Sequence, residues 1–367
     1  MTERRDREGN ERLRPVDARP SRLRLADVAR NLGVSAATVS NAFNRPDQLS
    51  PALRKLVLER AEELGYRGPG IEGRLLRTGH AGAIALYIPE PMTYLMEDAF
   101  VRTFMSSLMN ACQDRQIGLL LLPAVPHAKS KRPRPPAALD VAAVDAIIFY
   151  GLAADDPVID RAIERGRPVI GIDMPDRDGV IGVGVDDVSG ARAAARHLIQ
   201  KGHRRIGVIS LPTSRRRADR DGAPADFDAA SIRFPKERWQ GYAEAFAEAG
   251  IDPAAVPIRI CEVNARDRGK AAMEALLDRN VDRPTAVLAM SDVVARGAMD
   301  ACLERGLTVP QDIAIIGFDD APFADRLGLT TVAQDAARKA EIAVRCALGE
   351  PVETTVERTS IIERSTT

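Results

Sequence analysis

Aromatic side chains are scarce in this 367-residue chain, at 4% with one tryptophan, so few rings are on hand to stack against a flat ligand. Cysteine is also rare. Cys112, Cys261, Cys302 and Cys346 lie far apart with no paired spacing. That excludes a disulfide scaffold and predicts reduced thiols in a cytoplasmic protein. The four histidines, at 80, 127, 197 and 203, show no metal-ligand pattern, so no metal is expected. No apolar run approaches the roughly 18 residues that cross a bilayer, so no membrane partner is expected. The opening MTERRDREGNERLRPVDARPSR lacks the apolar core of a secretion signal. An excess of charge is missing too. Lys+Arg and Asp+Glu both number 52, which excludes a uniformly basic nucleic-acid coat. No G-x-G-x-x-G opens a helix after a strand, no phosphate-binding loop ending in Gly-Lys is present, and GVGVDDVSG fails the dinucleotide spacing. The common nucleotide-dependent enzymes therefore have no footing here, and no cofactor is expected.

What is present divides the chain. Residues 1–80 hold 16 Lys/Arg against 11 Asp/Glu, so the remainder is acidic by the same margin. A basic head on an acidic body points to a head that meets a polyanion. Residues 1–22 mix charges without periodicity and are expected to form a disordered tail. Residues 23–68 form a helical unit, 69–80 a Gly- and Arg-rich connector, and 81–367 the body.

In LADVARNLGVSAATVSNAFN (25–44), Leu25, Val28, Ala29 and Leu32 share one helix face. Gly33 suits a helix C-terminus, and Ser35 supplies an N-cap for a second helix. Ser50-Pro51 starts a third helix, with Leu53, Leu56, Val57, Ala61 and Leu64 expected on its inner face. A turn of about three residues between the first two helices is the helix-turn-helix spacing. Such a motif lays its second helix in the major groove. Ala36, Ala37 and Asn41 are then candidates for base edges, since Asn pairs with adenine and Ala meets a thymine methyl. Ser35, Thr38 and Ser40 are placed to touch phosphates, and Asn44 completes the DNA-facing set. A plain three-helix bundle with a polar surface is the alternative.

The body alternates short apolar runs with amphipathic helical stretches. Strands are expected at 83–89, 117–123, 145–151, 168–173, 182–186, 205–210, 256–260, 285–291 and 312–320. Helices are expected at 98–115, 188–201, 237–249, 266–279 and 292–305. Apolar strands joined by helices imply parallel sheets covered on both faces, and nine strands fit two sheets better than one. Residues 125–140 and 212–234 break the pattern and are expected to be loops. The Arg run at 215–217 is expected to be a solvated edge.

The head sequence, continued by LSPALRKLVLERAEELGY (49–66) and Leu76-Arg77-Thr78-Gly79, resembles the LacI/GalR transcription regulators. GVDDVSGARAAARHLIQKGHRRIGVIS (184–210), RWQGYAEAFAEAGI (238–251), PTAVLAMSD (284–292), GLTVPQDIAIIGFDD (306–320) and TSIIERST (359–366) extend the resemblance in family order over residues 24–366. It implies a small all-α helix-turn-helix DNA-binding domain followed by an α/β two-lobed domain like the periplasmic binding proteins. The function it implies is repression through a pseudo-palindromic double-stranded operator, by a homodimer whose lobes close on a small-molecule effector such as a sugar. No enzyme activity is implied. Leu76 is the position matching the hinge leucine that wedges into the minor groove, and Gly70 and Gly73 weaken this hinge as a helix. A plain flexible linker is the alternative. Asp292 and Arg238 match the family's main polar effector ligands, and Asp292 could equally be a helix N-cap. Phe100, Tyr150, Asp173, Asn264, and Phe318 or Asp319 are further cleft candidates. Near Asn264, where sugar-binding relatives place an aromatic, none stands. No leucine-heptad tail follows the last strand, which favours a dimer over a tetramer. A free-standing solute receptor and an enzyme are the rival classes, and DNA binding by the head separates them from a regulator.

Overall fold

The computed structural model describes residues 23–66, 68, 79–90, 96, 98–123, 138–214, 218–279 and 283–367. The expected tail at 1–22, nearly all of the hinge with Leu76, and the Arg run at 215–217 lie outside the described residues. The chain divides into two compact units, up to Ala81 and from Gly82.

In the first unit, α1 (Leu25–Leu32) ends where Gly33 adopts φ 65°, a left-handed conformation that glycine reaches without a Cβ clash. The Val34 amide then returns to the Ala29 carbonyl at 3.1 Å. Ser35 caps α2 (Ala36–Asn44), and Ser50 caps α3 (Pro51–Glu63), whose first residue is a proline with no amide to satisfy. Val28, Ala29, Val39, Ala42, Val57, Ala61 and Tyr66 form the core. The Phe43 and Tyr66 rings meet edge to face, 5.6 Å apart. Leu56 departs from expectation. It is 54% exposed, because Leu53, Val57, Ala61 and Leu64 already follow the packed stripe of α3 and Leu56 falls beside it.

The second unit holds two sheets. The first runs β12 (Val356–Glu357), β5 (Ile181–Val185), β4 (Val169–Ile172), β3 (Ala146–Tyr150), β1 (Ala83–Ile88), β2 (Gly118–Pro123). All its pairings are parallel. Both faces are covered, so β3 reads Ile147-Ile148-Phe149 with every side chain buried. Its helices are α4 (Ala99–Asp114), α5 (Ala138–Val141), α6 (Pro157–Glu164) and α12 (Ala336–Ala347).

The second sheet runs β13 (Ser360–Ile362), β11 (Thr330–Ala333), β10 (Ala314–Asp319), β9 (Ala286–Ala289), β6 (Ile206–Ser210), β8 (Ile258–Ile260), β7 (Arg220–Gly222). It is parallel except at its two edge strands, β13 and β7. Its helices are α7 (Asp187–Gln200), α8 (Pro224–Asp228), α9 (Arg233–Glu248), α10 (Arg266–Leu277) and α11 (Asp292–Glu304). The nine expected strands are all present. The expected loop at 212–234 instead contains β7 and α8, whose few polar residues carry no apolar run. The chain crosses between lobes after β5, after β11, and between β12 and β13, so each lobe is built from separated stretches of sequence.

Candidate functional site

On the head, α2 presents Ser35, Ala36 and Ala37 to solvent at its N-terminal end, with Thr38, Ser40, Asn41 and Asn44 half-buried. The Ser35 hydroxyl accepts the Thr38 amide at 3.0 Å and shares a 2.8 Å hydrogen bond with the Thr38 hydroxyl. The Asn41 amide donates to Gln48 Oε1 at 3.1 Å, which steadies the side chain nearest the helix middle. Asn44 donates back to the Ser40 carbonyl at 2.9 Å, which leaves it more a helix-end bond than a reaching arm. Two small alanines beside a capped helix N-terminus leave a smooth surface there, and the positive end of the helix dipole makes that end favourable to an anion.

In the body, a cavity of about 90 Å³ lies between the two lobes. Its walls are the carboxyl ends of parallel strands, where open α/β sheets place ligands. Pro89 and Glu90 follow β1, Tyr150 and Gly151 end β3, and Asp173 follows β4. From the other lobe come Asn264 beyond β8, Ser291 after β9, Asp319 at the end of β10 and Arg238 from α9.

Arg238 is the central cation, 4% exposed. Its guanidinium lies 3.5 Å from the Phe318 ring centroid and 5.5 Å from that of Phe234. Nε donates to Asp187 Oδ1 at 2.7 Å, Nη1 donates to the Met290 carbonyl, and Asp319 Oδ1 lies 3.8 Å from Nη1. Burial pushes the Asp187 carboxyl above its usual range and that of Asp319 well above it, against the pull of Arg238.

Asp98 and Asn264 close one side. Asp98 caps α4 by accepting the Val101 amide at 3.0 Å, and its second oxygen accepts from Asn264 Nδ2 of the opposite lobe at 2.7 Å. Ser291, the N-cap of α11, donates to Asn264 Oδ1 at 2.6 Å. One amide therefore joins the two lobes at the mouth of the cavity. At the floor, Lys339 of α12 donates to Asp173 and Gln334, and Gln334 donates to Asp319.

Of the effector residues expected from sequence, Arg238, Phe100, Tyr150, Asp173 and Asn264 line the cavity. Asp292 is not among its lining residues. It is 0% exposed, and its carboxylate accepts the Thr331 hydroxyl at 2.6 Å and the Ala321 amide at 2.7 Å. A Cβ on Gly317 would stand 2.0 Å from Asp292 Oδ1, so the side chain is wedged against β10 and is not among the residues that line the cavity. Nor is Asp292 the helix cap, since Ser291 is. Phe318 also faces away. Strand alternation aims it under Arg238 and aims its neighbour Asp319 into the cavity.

Sequence reading missed Asp98, Phe234, Ser291, Gln334 and Lys339. Asp98 and Ser291 carried the signal of residues just before a helix, but nothing local marked what they would face. Phe100, Tyr150 and Phe234, drawn from distant segments, supply rings despite the overall scarcity. Among the described residues no helix is long and apolar enough to cross a membrane, and no group of three His, Cys, Asp or Glu could hold a metal ion.

The chain matches the family model for bacterial regulatory proteins of the lacI family at residues 24–68 and a periplasmic binding protein-like domain at 195–367. It is 37% identical over 311 residues to the HTH-type transcriptional regulator IpsA of Corynebacterium glutamicum, covering 84% of this chain and 86% of that one. A solved LacI-family regulator from Corynebacterium glutamicum superposes with a TM-score of 0.68 at 32% identity, over 93% of this chain and 98% of that one. The regulator CelR, solved as a complex with cellobiose, superposes with a TM-score of 0.65 at 28% identity, over 94% of this chain and 100% of the other. These relatives are regulators and not enzymes, as the sequence motifs led one to expect. With a helix-turn-helix head and a two-lobed body both matched, this chain belongs to the LacI family of bacterial transcription regulators.

Proposed function

We propose that the chain is a cytoplasmic repressor that binds a pseudo-palindromic operator as a homodimer and is controlled by a small uncharged polyhydroxylated effector, a carbohydrate or a related metabolite. The head spans 23–68 and the hinge 69–80, with Leu76 as the minor-groove wedge, and 81–367 binds effector and pairs with a second copy. Ser35, Ala36, Ala37, Thr38, Ser40, Asn41 and Asn44 form the DNA-reading surface.

The observation that carries the effector reading is the interlobe cavity, with a ring-stacked guanidinium, several carboxyl and amide acceptors, and walls from both lobes. A molecule that bonds both walls stabilises the closed arrangement over the open one, and that difference is what shifts the operator equilibrium. Acids outnumber cations around the cavity, which favours hydroxyl donors over anions. The relative CelR was solved as a complex with cellobiose, a polyhydroxylated molecule.

The test is a gel shift with DNA from upstream of the gene, using the intact chain and residues 81–367 alone, with and without a panel of sugars. The intact chain is expected to bind with a steep loss as salt rises, and the truncated chain not to bind. Binding that survives removal of the head would overturn the reading.

A further inference from the structure

We propose that Lys339 is a positioning residue that determines what the cleft accepts: it orients Asp173 and Gln334 so that the cavity floor offers acceptor oxygens rather than an ammonium, selecting a neutral, donor-rich effector and rejecting anions. This rests on the reading of the cleft as the effector site.

Lys339 lies in the first turn of α12 and is 0% exposed, and it is not part of the cavity wall. A buried ammonium must have its three protons bonded and its charge matched. Nζ meets Asp173 Oδ1 at 2.9 Å, Asp173 Oδ2 at 2.8 Å and Gln334 Oε1 at 2.6 Å, so three donors find three acceptors. The Phe100 ring, which does line the cavity, has its centroid 5.2 Å from Nζ. The lysine is therefore spent before any ligand arrives.

Its effect reaches both walls. With its oxygen turned to Lys339, the Gln334 carboxamide, just beyond β11, directs Nε2 to Asp319 Oδ1 at the end of the neighbouring β10, 2.7 Å away and in the lobe opposite Lys339. Asp173 keeps lone pairs beyond the two that the ammonium takes, since two carboxylate oxygens offer about four acceptor sites. Those suit hydroxyl protons. An incoming phosphate or carboxylate would instead meet Asp98, Asp173 and Asp319, while Arg238 already has Nε and Nη1 engaged.

The full-length chain, Lys339→Met, Asp173→Asn and the double variant are compared by thermal shift and calorimetric titration. The neutral probes are D-glucose, D-ribose, D-glucitol and cellobiose, and the anions are glucose 6-phosphate and gluconate. Wild type is expected to bind a neutral probe and to bind the anions roughly tenfold or more weakly. Lys339→Met should lower the melting temperature, because a buried carboxylate loses its counter-charge. The double variant should regain the melting temperature yet bind the neutral probe roughly tenfold or more weakly than wild type.

A double variant with wild-type affinity would make the lysine merely structural and overturn the inference. So would tighter binding of glucose 6-phosphate than of glucose by wild type. Indifference of wild type to every neutral probe would bring down the effector reading itself, and the inference with it. Nitrogen-resolved NMR of the seven lysines needs no ligand. A Lys339 ammonium exchanging its protons as fast as the other six would overturn the positioning role on its own.

Discussion

Asp292 shows how much a single side chain depends on what stands behind it. Its place at the end of a strand and the start of a helix made it a natural ligand candidate, but β10 presents Gly317 to it and Thr331 reaches it from β11. Burial first, opposed by hydrogen bonds from the Thr331 hydroxyl and the Ala321 amide, pushes its pKa up to about 7. An acid whose folded pKa lies above its unfolded value is more protonated in the folded state across that window. Its contribution to stability therefore falls as pH rises from about 4 toward 7, by up to about 1.4 kcal/mol per unit, and is flat above. Asp292→Asn removes the titrating group. Its stability relative to wild type is expected to improve by a few kcal/mol between about pH 4 and 7. Denaturant unfolding at several pH values measures this, and a difference independent of pH would refute it.

At the scale of the element, caps and strand ends do most of the positioning. α2 holds its N-terminal end in place through Ser35, whose hydroxyl is bonded to both the amide and the side chain of Thr38. Ser35→Ala is expected to cost the head about 1 kcal/mol and to weaken operator binding, with the melting of the body unchanged. Calorimetry of the full chain and a gel shift check it together. A lowered body transition would show that the cap acts elsewhere.

Elements differed in how plainly the sequence announced them. The central parallel strands are buried runs such as AIIFY and AIIGFD, which few other structures would hide so completely. β7, β12 and β13 have two or three residues each, and their pairing comes from edges that other segments provide. Helix starts were legible where Ser or Asp preceded a long amphipathic stretch, as at Ser35, Ser50, Asp98 and Ser291, but α6 and α12, capped by Asp156 and Asp335, were not anticipated. The exposure of Leu56 was not legible either, because α3 has more leucines than its buried stripe can take.

Across the whole molecule, lobe geometry rests on a few polar links between distant residues. Asn264 bonds Asp98 across the cleft, 166 positions away in sequence. Asn264→Ala is expected to lower the melting temperature only modestly, since it removes two hydrogen bonds, to Asp98 and from Ser291, each worth about 1 kcal/mol. The unliganded body should open, however, and small-angle scattering should record a larger radius of gyration than for wild type. An unchanged radius would show that the crossovers alone hold the lobes.

The amino-acid order by itself determined the architecture: a capped three-helix head, apolar strands alternating with amphipathic helices, and a string of family motifs in register. These are local patterns, repeating at the period of a helix or strand, and each segment carries its own information about burial. Only the tertiary structure decided the cavity. Which aspartate faces it, 292 or 319, depends on which way a strand end points. Lys339 meeting Asp173, and Asn264 meeting Asp98, depend on three crossings between lobes that bring together groups with no local relation. Charge compensation and hydrogen-bond saturation are properties of such encounters, and no stretch of the chain contains them alone.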